Sequence, residues 1–209
     1  MKKLFLILGT IMSMMSITSC DDSSIAEKMN GTWHGILTSK TEEGNNVKND
    51  ETITYTKTTD DGGDFYSVWK AEEETTMDDG SVITVKYTAS IKGYWNILVG
   101  DLVMQYSLGT LSVTADEETL RDIAKNTIDN DDEMVFASER DYHQAIAAIA
   151  QEIRGECEKA AHKELYSFFE ESNKTTKEND YTYPDVKVTD TELIYKTEDA
   201  GMVSYKRVK

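Results

Sequence analysis

The chain has 209 residues, with 22 Lys and Arg against 39 Asp and Glu and a net charge of −17. Such an acidic chain repels phosphate backbones, which argues against nucleic-acid binding, and it repels anionic lipid headgroups too. The length suits one domain, and the two cysteines leave little room for disulfides.

Lys2 and Lys3 precede an uncharged stretch from Leu4 to Ile17. It is too short for a transmembrane helix, which needs about 20 apolar residues, and fits the apolar region of a secretory signal. It ends in Ile17-Thr18-Ser19-Cys20, which resembles the lipobox of bacterial lipoproteins: an aliphatic residue, two small ones, then cysteine. The resemblance implies a signal peptide over residues 1–19, cleavage before Cys20 and lipid attachment at Cys20. Two or more acyl chains give stable anchoring where one is marginal. Loss of Lys2 and Lys3 would leave 20 basic against 39 acidic residues, a net of −19. Residues 20–29, starting Cys20-Asp21-Asp22-Ser23-Ser24, read as a flexible tether. An acidic cluster there is similar to lipoproteins of Gram-negative gut anaerobes, where it can direct surface export. In enteric bacteria, aspartate directly after the cysteine favours inner-membrane retention. The expectation is a lipid-anchored protein of the cell envelope, at the outer membrane, with the leaflet open.

Strands follow. Ile53 and Tyr55 alternate with threonines; Phe65 and Trp69 flank Ser67; Ile83, Val85 and Tyr87 alternate with Thr84 and Lys86; Leu102, Met104 and Tyr106 alternate with Val103 and Gln105. Period two is the signature of half-buried strands. Glu43-Gly44-Asn45-Asn46, Asp61-Gly62-Gly63-Asp64 and Asp78-Asp79-Gly80-Ser81 separate them and supply turn residues. The spacing predicts sequential antiparallel hairpins, a meander or barrel.

Near residue 116 the period changes. Leu120, Ile123, Ala124 and Ile128 have helical spacing. After the polar run Asp129-Asn130-Asp131-Asp132-Glu133, Ser138 is a candidate N-cap. From there Tyr142, Ile146, Ile149, Ile153, Cys157, Ala160 or Ala161, Leu165 and Phe168 form one stripe, predicting a helix over 139–171. Such a helix spans roughly 50 Å. That exceeds a small barrel, so either it bends, at Gly155, or part of the stripe needs a partner. Ser172 to Asp180 reads as a linker. Pro184 opens a return to strands through Val186 and Val188, Leu193 and Tyr195, and Val203 and Tyr205. With helices between strands of one sheet system, residues 30–209 read as one domain interrupted by a helical insertion at 116–173.

Gly31-Thr32-Trp33 resembles the G-x-W opening of lipocalin-like barrels. Gly93-Tyr94-Trp95-Asn96-Ile97 with Gly100-Asp101-Leu102-Val103-Met104 is similar to the middle strands of lipocalin-like lipoproteins. Val188 to Leu193 and Val203 to Val208 are similar to their final hairpin. The resemblance covers about residues 30–114 and 183–209. It implies a mainly β fold, an antiparallel up-and-down lipocalin-like β-barrel, here with a long helical insertion before the last strands. It also implies barrel closure by Arg207 packed on Trp33. The insertion departs from the family, whose helix before the last strand is much shorter, and it could plug or cover the barrel.

No phosphate loop, dinucleotide-binding glycine pattern or nucleophile elbow is present. His34 follows Trp33, so the two point to opposite faces of a strand. His143 and His162 lie roughly 28 Å apart along a straight helix and cannot share a metal. The run at Asp129 has Met134 and Arg140 where an EF-hand loop has Gly and Glu. With Cys20 acylated, Cys157 is the remaining thiol, and nothing in the sequence places a base beside it. No enzyme, metal or cofactor is expected. Two readings stay open. One is a binder of a small hydrophobic ligand in a cavity lined by Tyr55, Phe65, Trp69, Tyr87, Trp95 and Tyr106. The other is an interaction module that binds a protein partner, or itself, through helix 139–171 and has no pocket. A cavity of roughly 300 Å³ or more discriminates between them.

Overall fold

A computed structural model describes residues 22–40, 46–76, 80, 82–131, 134–177, 183–197 and 201–209. The leader and Cys20 therefore lie outside the described residues. So do most of the first and third expected turns, and two residues of the acidic run after Asp129. Among the described residues no helix is long and apolar enough to cross a membrane.

The chain runs α1 (Asp22–Met29), β1 (Gly31–Lys40), β2 (Asn46–Lys57), β3 (Gly62–Thr76), β4 (Val82–Leu98), β5 (Asp101–Tyr106), β6 (Ser112–Ala115), α2 (Glu117–Asp129), α3 (Glu139–Lys177), β7 (Lys187–Val188), β8 (Glu192–Thr197) and β9 (Gly201–Arg207). The strands form one antiparallel sheet of nine, ordered β5-β4-β3-β2-β1-β9-β8-β7, with β6 paired to β4. It is strongly curled into a half-barrel. The edge strand β5 meets the returning chain at one isolated bridge. There Leu102 and Tyr183 exchange both backbone hydrogen bonds, at 3.0 and 2.8 Å.

Period two places Trp33, Ile53, Tyr55, Phe65, Ile91, Trp95, Ile97, Leu102, Leu193 and Tyr205 in the core on the concave side. His34 points outward, where its Nε2 lies 2.8 Å from Asp50 Oδ1 on β2. Two interior strands carry glycine where an aromatic ring must cross. Gly93 sits between Phe65 and Tyr106 in the register, and those two rings meet above it with centroids 5.5 Å apart. At Gly35 an added Cβ would lie 2.7 Å from Tyr205 Cδ1, so the tyrosine ring lies over the bare backbone.

Residues 22–29 correct the expectation of a flexible tether. They form α1, and Ile25, Ala26 and Met29 are buried in the core. Asp22 holds the β4–β5 turn, accepting from Val99 N at 3.0 Å and Gly100 N at 2.9 Å. The polar look of DSSIAEKM hid a short helix whose apolar residues stack on one face, as 25, 26 and 29 do.

The same end carries the contact between Trp33 and Arg207. The guanidinium lies 4.2 Å from the indole centroid, and the two residues are register partners between β1 and β9. Arg207 also donates to the Asn30 carbonyl at 2.8 Å, the Asp190 carbonyl at 2.9 Å and the Lys28 carbonyl. Trp33 Nε1 donates to Met29 O at 2.7 Å. A cation at the last carbonyls of α1 suits the negative end of its dipole. One arginine thus ties helix, first strand and last strand together.

Asp116 caps α2 by accepting from Thr119 N at 3.1 Å. Ser138 caps α3 by accepting from Asp141 N at 3.2 Å. At 39 residues, α3 spans about 58 Å and continues without interruption through Gly155. It runs past the expected linker start because its last turns are held by the sheet. Ser172 is buried, and the Asn173 amide pairs with both backbone groups of Tyr106 on the free edge of β5, at 2.8 Å each way. The stripe is split between two partners. Tyr142, Ile146, Ile149, Ala150, Ile153 and Cys157 pack with α2 in a satellite core. Leu165 and Phe169 pack on the main core. Phe168, expected on the stripe, is 49% exposed, and Phe169 takes the inward position at 7%. The insertion supplies its own cover for the first half of the helix, so the overhang expected from length alone is filled by α2.

Candidate functional site

The curled sheet and the C-terminal half of α3 enclose a cavity of about 350 Å³. Its position follows from the register. On β1, β2 and β9 the residues nearest α1 are Trp33, Tyr55 and Arg207. Those facing the cavity (Leu37, Asn49 with Glu51, Val203 with Tyr205) lie further along the strands. The α1 end is packed solid and the cavity opens away from it. The apolar wall comes from Phe65, Trp69, Ile91, Leu165 and Phe169. Phe169 stacks edge-on to Trp69 with centroids 5.7 Å apart, and 4.5 Å from Tyr106. The helix therefore forms the cavity's roof and does not fill it.

The opposite wall is polar. Glu51 shares the inward face of β2 with Ile53 and Tyr55, since residues two apart point the same way. Its carboxylate accepts from Ser67 Oγ at 2.6 Å and from Tyr205 Oη at 2.5 Å. Glu51, Gly35 and Tyr205 lie in one row across β2, β1 and β9. Without a Cβ at Gly35 the tyrosine can lean across that row to reach the carboxylate. Burial pushes the Glu51 carboxyl above the ordinary carboxylate value, and the two hydroxyl donors pull part of the way back. Tyr195 stacks on Tyr205 with centroids 5.7 Å apart, Tyr183 lies 5.2 Å from Tyr195, and the hydroxyls of Tyr183 and Tyr106 are 3.0 Å apart. Burial raises the phenols of Tyr106, Tyr195 and Tyr205 well above the usual tyrosine value, so they stand as neutral hydroxyls. Among the described lining residues Glu51 is the one formal charge, with no Lys, Arg or His.

Of the six aromatic residues expected to line a cavity, Phe65, Trp69 and Tyr106 do so. Tyr55 and Trp95 are packed beneath it in contact with each other, with centroids 5.3 Å apart. Tyr55 donates to Met104 Sδ at 3.8 Å and Trp95 Nε1 to Asp64 O at 3.0 Å. Those donors need partners when buried, and both find them in the floor. Tyr87 lies outside the cavity on β4, where burial, then Glu73 and Glu164, push its phenol up to about 12. Sequence reasoning missed Glu51, Ser67, Tyr183, Tyr195 and Tyr205 as lining residues. Extending the parity of Ile53 and Tyr55 back by two residues would have found Glu51.

Elsewhere, a groove of about 520 Å³ between α2 and the start of β4 is walled by charged side chains such as Lys86, Glu118, Asp122 and Lys125. Cys157 packs half-buried against the satellite core, and burial, then Glu156 and Glu158, raise its thiol pKa. A raised value lowers the thiolate fraction, the reactive form. Among the described residues no group of three or more His, Cys, Asp and Glu is placed to hold a metal ion. No protein-family model matches the sequence, and neither does any curated protein sequence.

Proposed function

We propose that this protein is a membrane-anchored lipocalin-like carrier or receptor that binds a small, mainly hydrophobic ligand in the cavity under α3. The observation behind this reading is the cavity of about 350 Å³ with aromatic walls and a few convergent polar groups. Ligand sites are typically concave, mostly apolar and about 300–1,000 Å³ in volume. The half-barrel, the returning chain bridged at Leu102 and Tyr183, and the Trp33–Arg207 contact at the solid end support the lipocalin-like reading. The alternative of an interaction module rested on an uncovered helical stripe, and α2 and the sheet cover much of that stripe, which favours the binding reading.

Acylation at Cys20 would place the membrane two residues from Asp22, at the α1 end. The cavity would then open away from the bilayer toward solvent. The tie from Asp22 to Val99 and Gly100 would hold the domain close to the surface instead of on a long leash.

Native mass spectrometry of protein purified without denaturation, with analysis of its organic extract, tests the binding reading. A stoichiometric small molecule, lost in Leu165→Trp, which fills the roof of the cavity, is the expected result. An apo protein that also takes up no apolar probe would overturn it.

A further inference from the structure

The polar wall of the cavity narrows the ligand class, on the premise that the cavity binds a ligand at all. Burial alone favours the neutral form of the Glu51 carboxyl, and a cation beside it favours the ionised form, an acceptor only, with about four lone-pair sites on two oxygens. In Glu51 one hydroxyl donor occupies each oxygen, Ser67 on one and Tyr205 on the other. That leaves acceptor capacity on both. Buried charges are ordinarily paired with an opposite charge, yet among the described lining residues no cation faces Glu51.

We propose that the cavity takes an amphiphile whose polar end is a primary ammonium or similar N–H-bearing cation, held by the Glu51 carboxylate, with its apolar body among Phe65, Trp69, Ile91, Leu165 and Phe169. A charge-assisted N–H to carboxylate bond is about twice as strong as a neutral one. A fatty-acid-type ligand meets the reverse situation: its carboxylate would enter beside Glu51 with no cation to offset the like charge. A neutral alcohol falls between the two, since it can donate to Glu51 without neutralising it.

Three probes with one tail separate these cases: decylamine, 1-decanol and decanoate. Their binding to the purified protein, below their micellar concentrations, is read by quenching of tryptophan fluorescence and by calorimetry. The expected order is decylamine, then decanol, then decanoate, with at least about a tenfold gap between the first and last. Glu51→Gln keeps the shape and an acceptor oxygen but removes the charge. It should bring decylamine down to the decanol level while leaving decanol within about twofold. Tyr205→Phe leaves the carboxylate and removes one competing donor, so it should keep the amine preference. Decanoate binding as tightly as decylamine would overturn the head-group assignment while leaving the cavity as a binding site. An amine preference unchanged in Glu51→Gln would do the same. Failure of all three probes to bind the unmodified protein would overturn the binding function and this inference with it.

Discussion

Gly35→Ala is the sharpest test of how the polar wall is built. In an ordinary strand interior this change is mildly stabilising, because glycine there costs about 0.5–1 kcal/mol relative to alanine. Here the new Cβ would lie 2.7 Å from Tyr205 Cδ1 and 3.1 Å from the Ser204 carbonyl oxygen, against an ordinary contact range that begins at 3.4 Å. The ring must retreat by at least about 0.7 Å, and overpacking of this kind costs about 1–3 kcal/mol. The retreat also lengthens the 2.5 Å bond from Tyr205 to Glu51; a bond to a charged group is worth about 1.5–3 kcal/mol. The two effects share one side chain and do not add fully, so the expected loss is about 2–3 kcal/mol. Urea unfolding should show a lower midpoint at unchanged slope. In a Tyr205→Ala background the same substitution should cost less than about 1 kcal/mol, because the ring it strikes is gone. A neutral or stabilising Gly35→Ala in the otherwise unmodified chain would refute the reasoning. Equal cost in both backgrounds would refute it as well.

Four further outcomes follow from other contacts. Burial raises the folded carboxyl of Glu51 above its unfolded value, so the folded state holds its proton more tightly. Glu51 therefore favours folding at low pH, and that contribution is lost as pH rises from the unfolded carboxylate range through the folded value. The phenols around it stay neutral throughout this window. The stability of Glu51→Gln relative to the parent, from urea melts, should increase over that rise, and a pH-independent difference would contradict this. Arg207→Lys keeps the charge but loses the planar fork that reaches three carbonyls and the Trp33 face. It should cost about 1–3 kcal/mol, visible as a drop in Tm, and an unchanged Tm would argue against Arg207 as the tie. Asn173→Ala removes both bonds to the Tyr106 backbone. It should cost about 1–2 kcal/mol and speed hydrogen exchange at the Tyr106 amide, whereas unchanged exchange there would mean α3 is held by packing alone. Val99 has φ +55° and is 86% exposed, a conformation β-branched residues avoid. Val99→Asn should therefore stabilise by about 0.5–1 kcal/mol in thermal melts, unless Asn weakens the Asp22 tie, which a double variant with Asp22→Ala would expose.

The elements whose signals are local are legible in the sequence. Alternation at Ile53 and Tyr55, or Leu102 and Met104, fixes strands and their inner faces, because the side-chain period of a strand is two. Asp116 and Ser138 mark helix starts because their oxygens satisfy free backbone donors within three residues. Trp33 facing in and His34 facing out needs only the same parity. Features that depend on which distant segments meet arise only in the folded chain. α1 is a helix because the core accepts Ile25, Ala26 and Met29, and its composition alone reads as tether. α3 runs on to Lys177 because Asn173 finds the edge of β5, and it presents Phe169 inward instead of Phe168 because the sheet fixes its rotation. The carboxylate wall joins Glu51 to Tyr205, 154 positions along the chain, through a gap that exists only because Gly35 lies between them. Pairing of that range is set by the curl of the sheet, and no local period in the sequence records it.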